Sequence, residues 1–182
     1  MPQSYEVSFA SSNRHKFREA AEILAPYGIK LSFLRCSLEE IQSDSIVRIS
    51  RRKAQDAFGR FKTPVIVEDD GLEIDSLKKF PGPYSAFVFD TIGNEGVLRL
   101  VGRDRRASFM SAVTYCDLQQ TVSFEFGVRG RISASVRGKG WGYDPIFIPD
   151  GTDRTFAQLD DKNSVSHRYG ALKEFSEWFL GR

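Results

Sequence analysis

Val65-Ile66-Val67-Glu68-Asp69-Asp70-Gly71-Leu72 is the stretch that decides the fold. Three β-branched residues after Pro64 read as a buried strand, and the run discharges into three carboxylates and a glycine. An apolar strand ending in Glu68-Asp69-Asp70 puts negative charge at the edge of a sheet, where ligands of α/β sheets bind. Adjacent carboxylates repel one another, so a cation is expected beside them. A divalent metal with oxygen ligands is the natural candidate. For an Asp-Asp-Gly alone, a solvated acidic turn is the competing account.

Working outward, Tyr5 to Ala10 alternates like a strand, and Phe17, Ala20, Ala21 and Leu24 follow at helical spacing over 14–25, with Pro26 and Gly28 as stops. Lys30 to Arg35 reads as a second strand. Ile46, Ile49, Ala57, Phe58 and Phe61 mark a second helix, started by Asp44 or Ser45. Beyond the acids come the loop Lys79-Phe80-Pro81-Gly82-Pro83-Tyr84 and a helix from about Asn94 to Val101. Residues 107–117 and 121–136 predict an antiparallel hairpin. A last helix carries Tyr169, Leu172, Phe175 and Phe179 on one face. The pattern predicts one α/β domain spanning 1–182, with helices packed on a mixed sheet.

A chain of 182 residues suits one domain with a sizeable core, and 41% hydrophobic with 27% charged residues is ordinary for a globular protein. A formal net charge of +2 is too small to argue for a nucleic-acid surface. No apolar run is long enough to span a bilayer. Cys36 and Cys116 form no CxxC motif and read as buried free thiols. With no signal-peptide core at the N-terminus, a cytoplasmic protein is expected.

Five segments could carry chemistry. Ser11-Ser12-Asn13, in the first βα turn, offers backbone N–H groups and a positive dipole end to an anion, and Lys16 adds a point charge. A plain helix cap has the same composition. Glu40 lies between the second strand and second helix and could share a metal with Asp69, or be a solvated loop acid. Lys53, among apolar positions of the second helix, either points inward or snorkels. Trp141, between Gly140 and Gly142, is either a plate for a flat base or a core residue. Lys162-Asn163-Ser164-Val165-Ser166-His167-Arg168 gathers donors at the start of the last helix. Adjacent helical residues point in different directions, so Ser166-His167 is not a serine hydrolase pair.

Taken in order, these segments resemble the inosine triphosphate pyrophosphatase family: Ser11-Ser12-Asn13 with Lys16, Glu40-Ile41-Gln42, Glu68-Asp69 with Gly71-Leu72, Trp141-Gly142-Tyr143-Asp144-Pro145, and Lys162 with Ser166-His167-Arg168. Pro81 to Ser85 and Thr91 to Asn94 extend the resemblance almost end to end. It implies an elongated mixed sheet with two lobes, a nucleotide cleft between them, and a homodimer. It also implies Mg²⁺-dependent attack of water on the α-phosphorus of ITP, dITP or XTP, giving the monophosphate and pyrophosphate. By family role, Ser11, Asn13 and Lys16 hold the triphosphate, with Ser12, Lys53 and Asp70 as further substrate-binding candidates. Glu40 and Asp69 bind Mg²⁺, with Glu68 a further candidate, and Asp69 is the general base. Trp141, Gly142, Tyr143, Asp144, Lys162, His167 and Arg168 contact the nucleotide, the last two near the purine's 6-oxo edge. Three positions depart from the pattern. Asp70 stands beside the phosphates where the family has Ser or Thr, Ser12 replaces a common Gly, and Trp141 replaces a Phe.

Overall fold

The strand expected after Pro64 forms, and it does not stop at the acids. In the computed structural model, which describes residues 5–182, β3 runs unbroken over Val65–Ile74. Glu68, Asp69 and Asp70 therefore lie mid-strand, which corrects their placement at a strand end. Gly71 explains the continuation. A Cβ there would lie 2.6 Å from the carbonyl oxygen of Gly82, so only glycine lets β4 (Pro81–Gly82) pair antiparallel at Leu72↔Gly82.

The other strands are β1 (Tyr5–Ser11), β2 (Ile29–Arg35), β5 (Arg106–Cys116), β6 (Thr121–Ile132) and β7 (Phe147–Pro149). They form a mixed sheet in the order β2-β1-β3-β5-β6-β7, with β4 on β3. β1 is parallel to β2 and β3, whereas β6 and β7 are antiparallel. The turn between β5 and β6 is held by Asp117, whose side chain accepts from the N–H groups of Gln119 (2.8 Å) and Gln120 (2.9 Å). β6 stops at Ile132, short of the expected residue 136, where Ser133 donates to the carbonyl of Ser135 at 2.5 Å and turns the chain.

Four helices complete the described chain: α1 (Arg14–Leu24), α2 (Ile46–Phe61), α3 (Ser85–Leu100) and α4 (His167–Leu180). Ser45 rather than Asp44 caps α2, accepting from the Arg48 N–H. α3 begins nine residues before the expected Asn94. Its first half, Ser-Ala-Phe-Val-Phe-Asp-Thr-Ile, is rich in weak helix formers, and a kink at Gly93 (φ 60°, ψ −170°) separates it from the periodic second half. Tertiary contacts impose that first half: Ser85 Oγ donates to the Gly82 carbonyl (2.7 Å) and accepts from the Leu72 N–H (2.8 Å).

The chain divides into two compact units, one running through Asp69 with Ser111–Phe126 and Arg168–Arg182, the other Asp70–Met110 with Gly127–His167. In the first, alternation along β3 sorts the core. Ile66 packs with Phe9, Leu24, Phe175 and Leu172 of the α1 and α4 side. Val65 and Val67 point the other way, onto Ala54 and Ala57 of α2. The second unit has its own core of Leu72, Ile74, Val88, Phe109, Tyr143, Phe147 and Phe156. No helix among the described residues is long and apolar enough to cross a membrane.

Candidate active site

The same alternation separates the carboxylates. Glu68 follows Ile66 and meets cations from α1 and α4; Asp69 follows Val67 and meets one from α2. Glu68 is fully enclosed. Lys16 Nζ lies 3.1 Å from it, Arg168 Nη2 3.2 Å, and Ser111 Oγ donates to it at 2.9 Å. Arg168, itself buried, also pairs with Glu19 of α1. The mutual repulsion expected of adjacent acids is thus relieved by protein cations on two faces.

Asp69 has a different environment. Lys53 Nζ donates to its Oδ1 at 2.6 Å and also pairs with Glu40, so Lys53 points inward. Burial raises the Asp69 pKa, and the charges of Lys53 and Lys16 only partly oppose this. Its second oxygen, Oδ2, is buried with no hydrogen-bond partner among the described residues. Such a group is costly to bury unless something comes to it.

These residues fit a hard divalent cation. Carboxylate oxygens are the donors a hard cation takes, Asp69 Oδ2 is unengaged by protein, and the Glu40 side chain is 61% exposed. Glu68 fits less well, because its oxygens already accept from Ser111, Arg168 and Lys16.

The turn before α1 is a helix cap. Asn13 Oδ1 accepts from the N–H groups of His15 (2.9 Å) and Lys16 (3.2 Å), and Ser11 Oγ accepts from the Asn13 N–H at 3.0 Å. Two of the backbone donors expected to face an anion are therefore taken by Asn13. Ser12 needs no left-handed backbone, since the positive-φ non-glycine residues among those described are Lys62, Lys78 and Lys79.

In the second unit, Lys162 Nζ lies 2.8 Å from Asp144 Oδ2 and 5.6 Å from the centre of the half-buried Trp141 ring. Gly142 has φ 59°, which any side chain would strain, and its carbonyl accepts from Asn94 Nδ2 at 3.0 Å. Tyr143 is a core residue whose hydroxyl donates to the Ser85 carbonyl at 2.8 Å. Burial, then the charges of Asp90 and Asp70, push its pKa up. The buried His167 ring stacks on Phe109, centroids 3.9 Å apart, and its Nε2 lies 3.9 Å from Asp70 Oδ2.

Sequence reasoning missed Glu19, Ser111 and the role of Asn94 against Gly142. Glu19 sits one turn beyond Lys16, which is a usable signal; Ser111 on β5 carries none. Of the two cysteines, Cys116 is buried and Cys36 only half-buried; both are free thiols.

The Ham1 family model matches residues 7–178, almost the whole described chain. The chain belongs to the Ham1 family. Relatives agree over the same length: a protein named dITP/XTP pyrophosphatase from Methanopyrus kandleri is 48% identical, with 96% of each chain covered. A second of that name, from Saccharolobus solfataricus, is 44% identical over 95% of this chain and 93% of its own. Among solved structures, the HAM1 protein from Coxiella burnetii matches with a TM-score of 0.84 at 29% identity, covering 98% of this chain and 100% of that one. The Staphylococcus aureus Ham1 protein matches at 0.80 and 27%, over 96% and 98%. The Ham1 match therefore extends to both units.

Proposed function

We propose that this chain hydrolyses the non-canonical purine nucleoside triphosphates ITP, dITP and XTP to the monophosphate and pyrophosphate. The names of its Ham1 relatives support the substrate class. The observation that carries the chemistry is Asp69: a buried carboxylate with one oxygen held by Lys53 and the other without a hydrogen-bond partner among the described residues.

In this reading Glu40 and Asp69 hold Mg²⁺, which when bound offsets the charge of the phosphates. Asp69 orients the attacking water and takes its proton, a role suited to a carboxylate whose pKa burial has raised. Lys16 and Lys53 supply positive charge to the triphosphate as negative charge gathers at the α-phosphorus. Ser11, Ser12 and Asn13 shape the turn that receives it. Trp141 stacks on the base, while Asp144, Lys162 and His167 fix its edge. Donors aimed at O6 would meet adenine's amino group without an acceptor, which disfavours ATP.

Two copies pair as a homodimer, a reading supported by the exposed apolar side chains Phe80, Tyr84 and Phe87. Two free thiols support a reducing compartment, the cytoplasm.

Pyrophosphate release from ITP, dITP, XTP, ATP and dUTP with Mg²⁺ tests the proposal. Turnover of the first three well above ATP and dUTP is expected. Preference for dUTP would move the substrate class to pyrimidines, and no release from any would leave a nucleotide-binding protein.

A further inference from the structure

The buried stripe of α2 reads Ile46, Ile49, Ser50, Lys53, Ala54 and Ala57. A lysine on such a stripe must bring its charge out of water, which costs several kcal/mol unless opposite charges meet it. Lys53 is 8% exposed, and Glu40 and Asp69 both meet it. Glu40 lies in the irregular stretch between β2 and α2, and its carboxylate is tied by Lys53 to the same point as Asp69. Of the two Asp69 oxygens, Lys53 holds Oδ1 while Oδ2 has no hydrogen-bond partner among the described residues.

We propose that the Lys53 ammonium is the resident cation of the Glu40–Asp69 pair, holding both carboxylates in place until a divalent ion displaces it. The inference rests on the reading of these two acids as metal ligands. An ion arriving at the pair meets a positive charge already seated there, so metal alone binds weakly. Once displaced, the ammonium is released toward the triphosphate. Metal and substrate then tighten each other's binding by the same factor, because coupling between two ligands is reciprocal.

The probe is Mn²⁺ alone, titrated calorimetrically into nucleotide-free protein. Removing the competing charge in Lys53→Met is expected to tighten Mn²⁺ binding at least about tenfold, a modest share of a Coulomb interaction at this separation. The same substitution should erase the gain in Mn²⁺ affinity that a non-hydrolysable ITP analogue gives the wild type. Lys53→Arg, which keeps the charge, should stay close to wild type. If Lys53→Met does not fold by circular dichroism, Lys53→Gln supplies the same comparison. Mn²⁺ binding by the neutral variant that is no tighter than wild type overturns the exchange and leaves the ligand reading standing. Mn²⁺ binding that survives Asp69→Asn and Glu40→Gln together overturns the ligand reading, and the exchange with it.

Discussion

Arg168 and Glu68 meet 3.2 Å apart with side chains 1% and 0% exposed, the most enclosed ion pair described in the first unit. Glu19 shares the guanidinium and Lys16 shares the carboxylate, so α1, β3 and α4 are tied through one charged chain. Arg168→Ala would leave Glu19 and Glu68 without their shared cation. It is expected to destabilise the protein by about 3–5 kcal/mol, the usual cost of breaking a buried pair from one side. Denaturant unfolding measures this. A change in the ITP-to-ATP rate ratio with unchanged stability would instead place Arg168 at the base edge alone.

Asp69→Asn separates catalysis from folding. Loss of the general base should lower kcat by at least about 10²-fold. Stability should move the opposite way in metal-free protein. An acid whose pKa is higher folded than unfolded binds its proton more tightly when folded. Stability is therefore lost as pH rises from the ordinary carboxylate range through the raised value. The ionised form of Asp69 is the one that weakens the fold, and Asn removes that charge. Thermal melts in EDTA over a pH series should show wild type losing stability relative to Asp69→Asn as pH rises. Near-normal turnover would remove Asp69 from its role.

Trp141 is half-buried, and the Lys162 ammonium stands 5.6 Å from its ring centre, so its loss should reach binding before folding. Trp141→Ala is expected to weaken purine nucleotide binding by about 1–3 kcal/mol with little change in melting temperature. Trp141→Phe should be mild. A large loss of stability in Trp141→Ala would make it a core residue.

Where the sequence carries a repeating pattern, the fold was legible. Val65 to Val67 announce a buried strand, and the helical spacing of Phe17, Ala20 and Leu24 announces α1. The first half of α3 was not, because Ser85 to Ile92 has poor local propensity and is set by the bonds of Ser85 to Gly82, just before the helix, and to Leu72 on β3. The continuation of β3 through the acids was hidden for a similar reason, since Gly71 looks like a turn until Gly82 lies against it. The motifs named Lys16, Lys53, Glu40 and Asp69, and strand alternation explains why Glu68 and Asp69 take different cations. Which cation goes to which acid depends on α1, α2 and α4 packing, which no local pattern encodes.

Asp70 is where this chain leaves the family pattern. Its carboxylate is 16% exposed and lies 3.9 Å from His167 Nε2, on the strand that the proposed function asks to receive a polyanion. A hydroxyl at this position could donate to a phosphate oxygen, whereas a carboxylate only accepts and repels it. Asp70→Ser removes one negative charge and restores a donor. It is therefore expected to lower the KM for ITP, with the larger gain at limiting Mg²⁺, where fewer phosphate charges are offset. Because Ser is smaller and the position is only half-buried, the melting temperature should change little. Steady-state kinetics at two Mg²⁺ concentrations decide the matter. Loss of activity in Asp70→Ser, with the fold intact, would mean that Asp70 takes a working part in the chemistry and that Asp69 does not carry it alone.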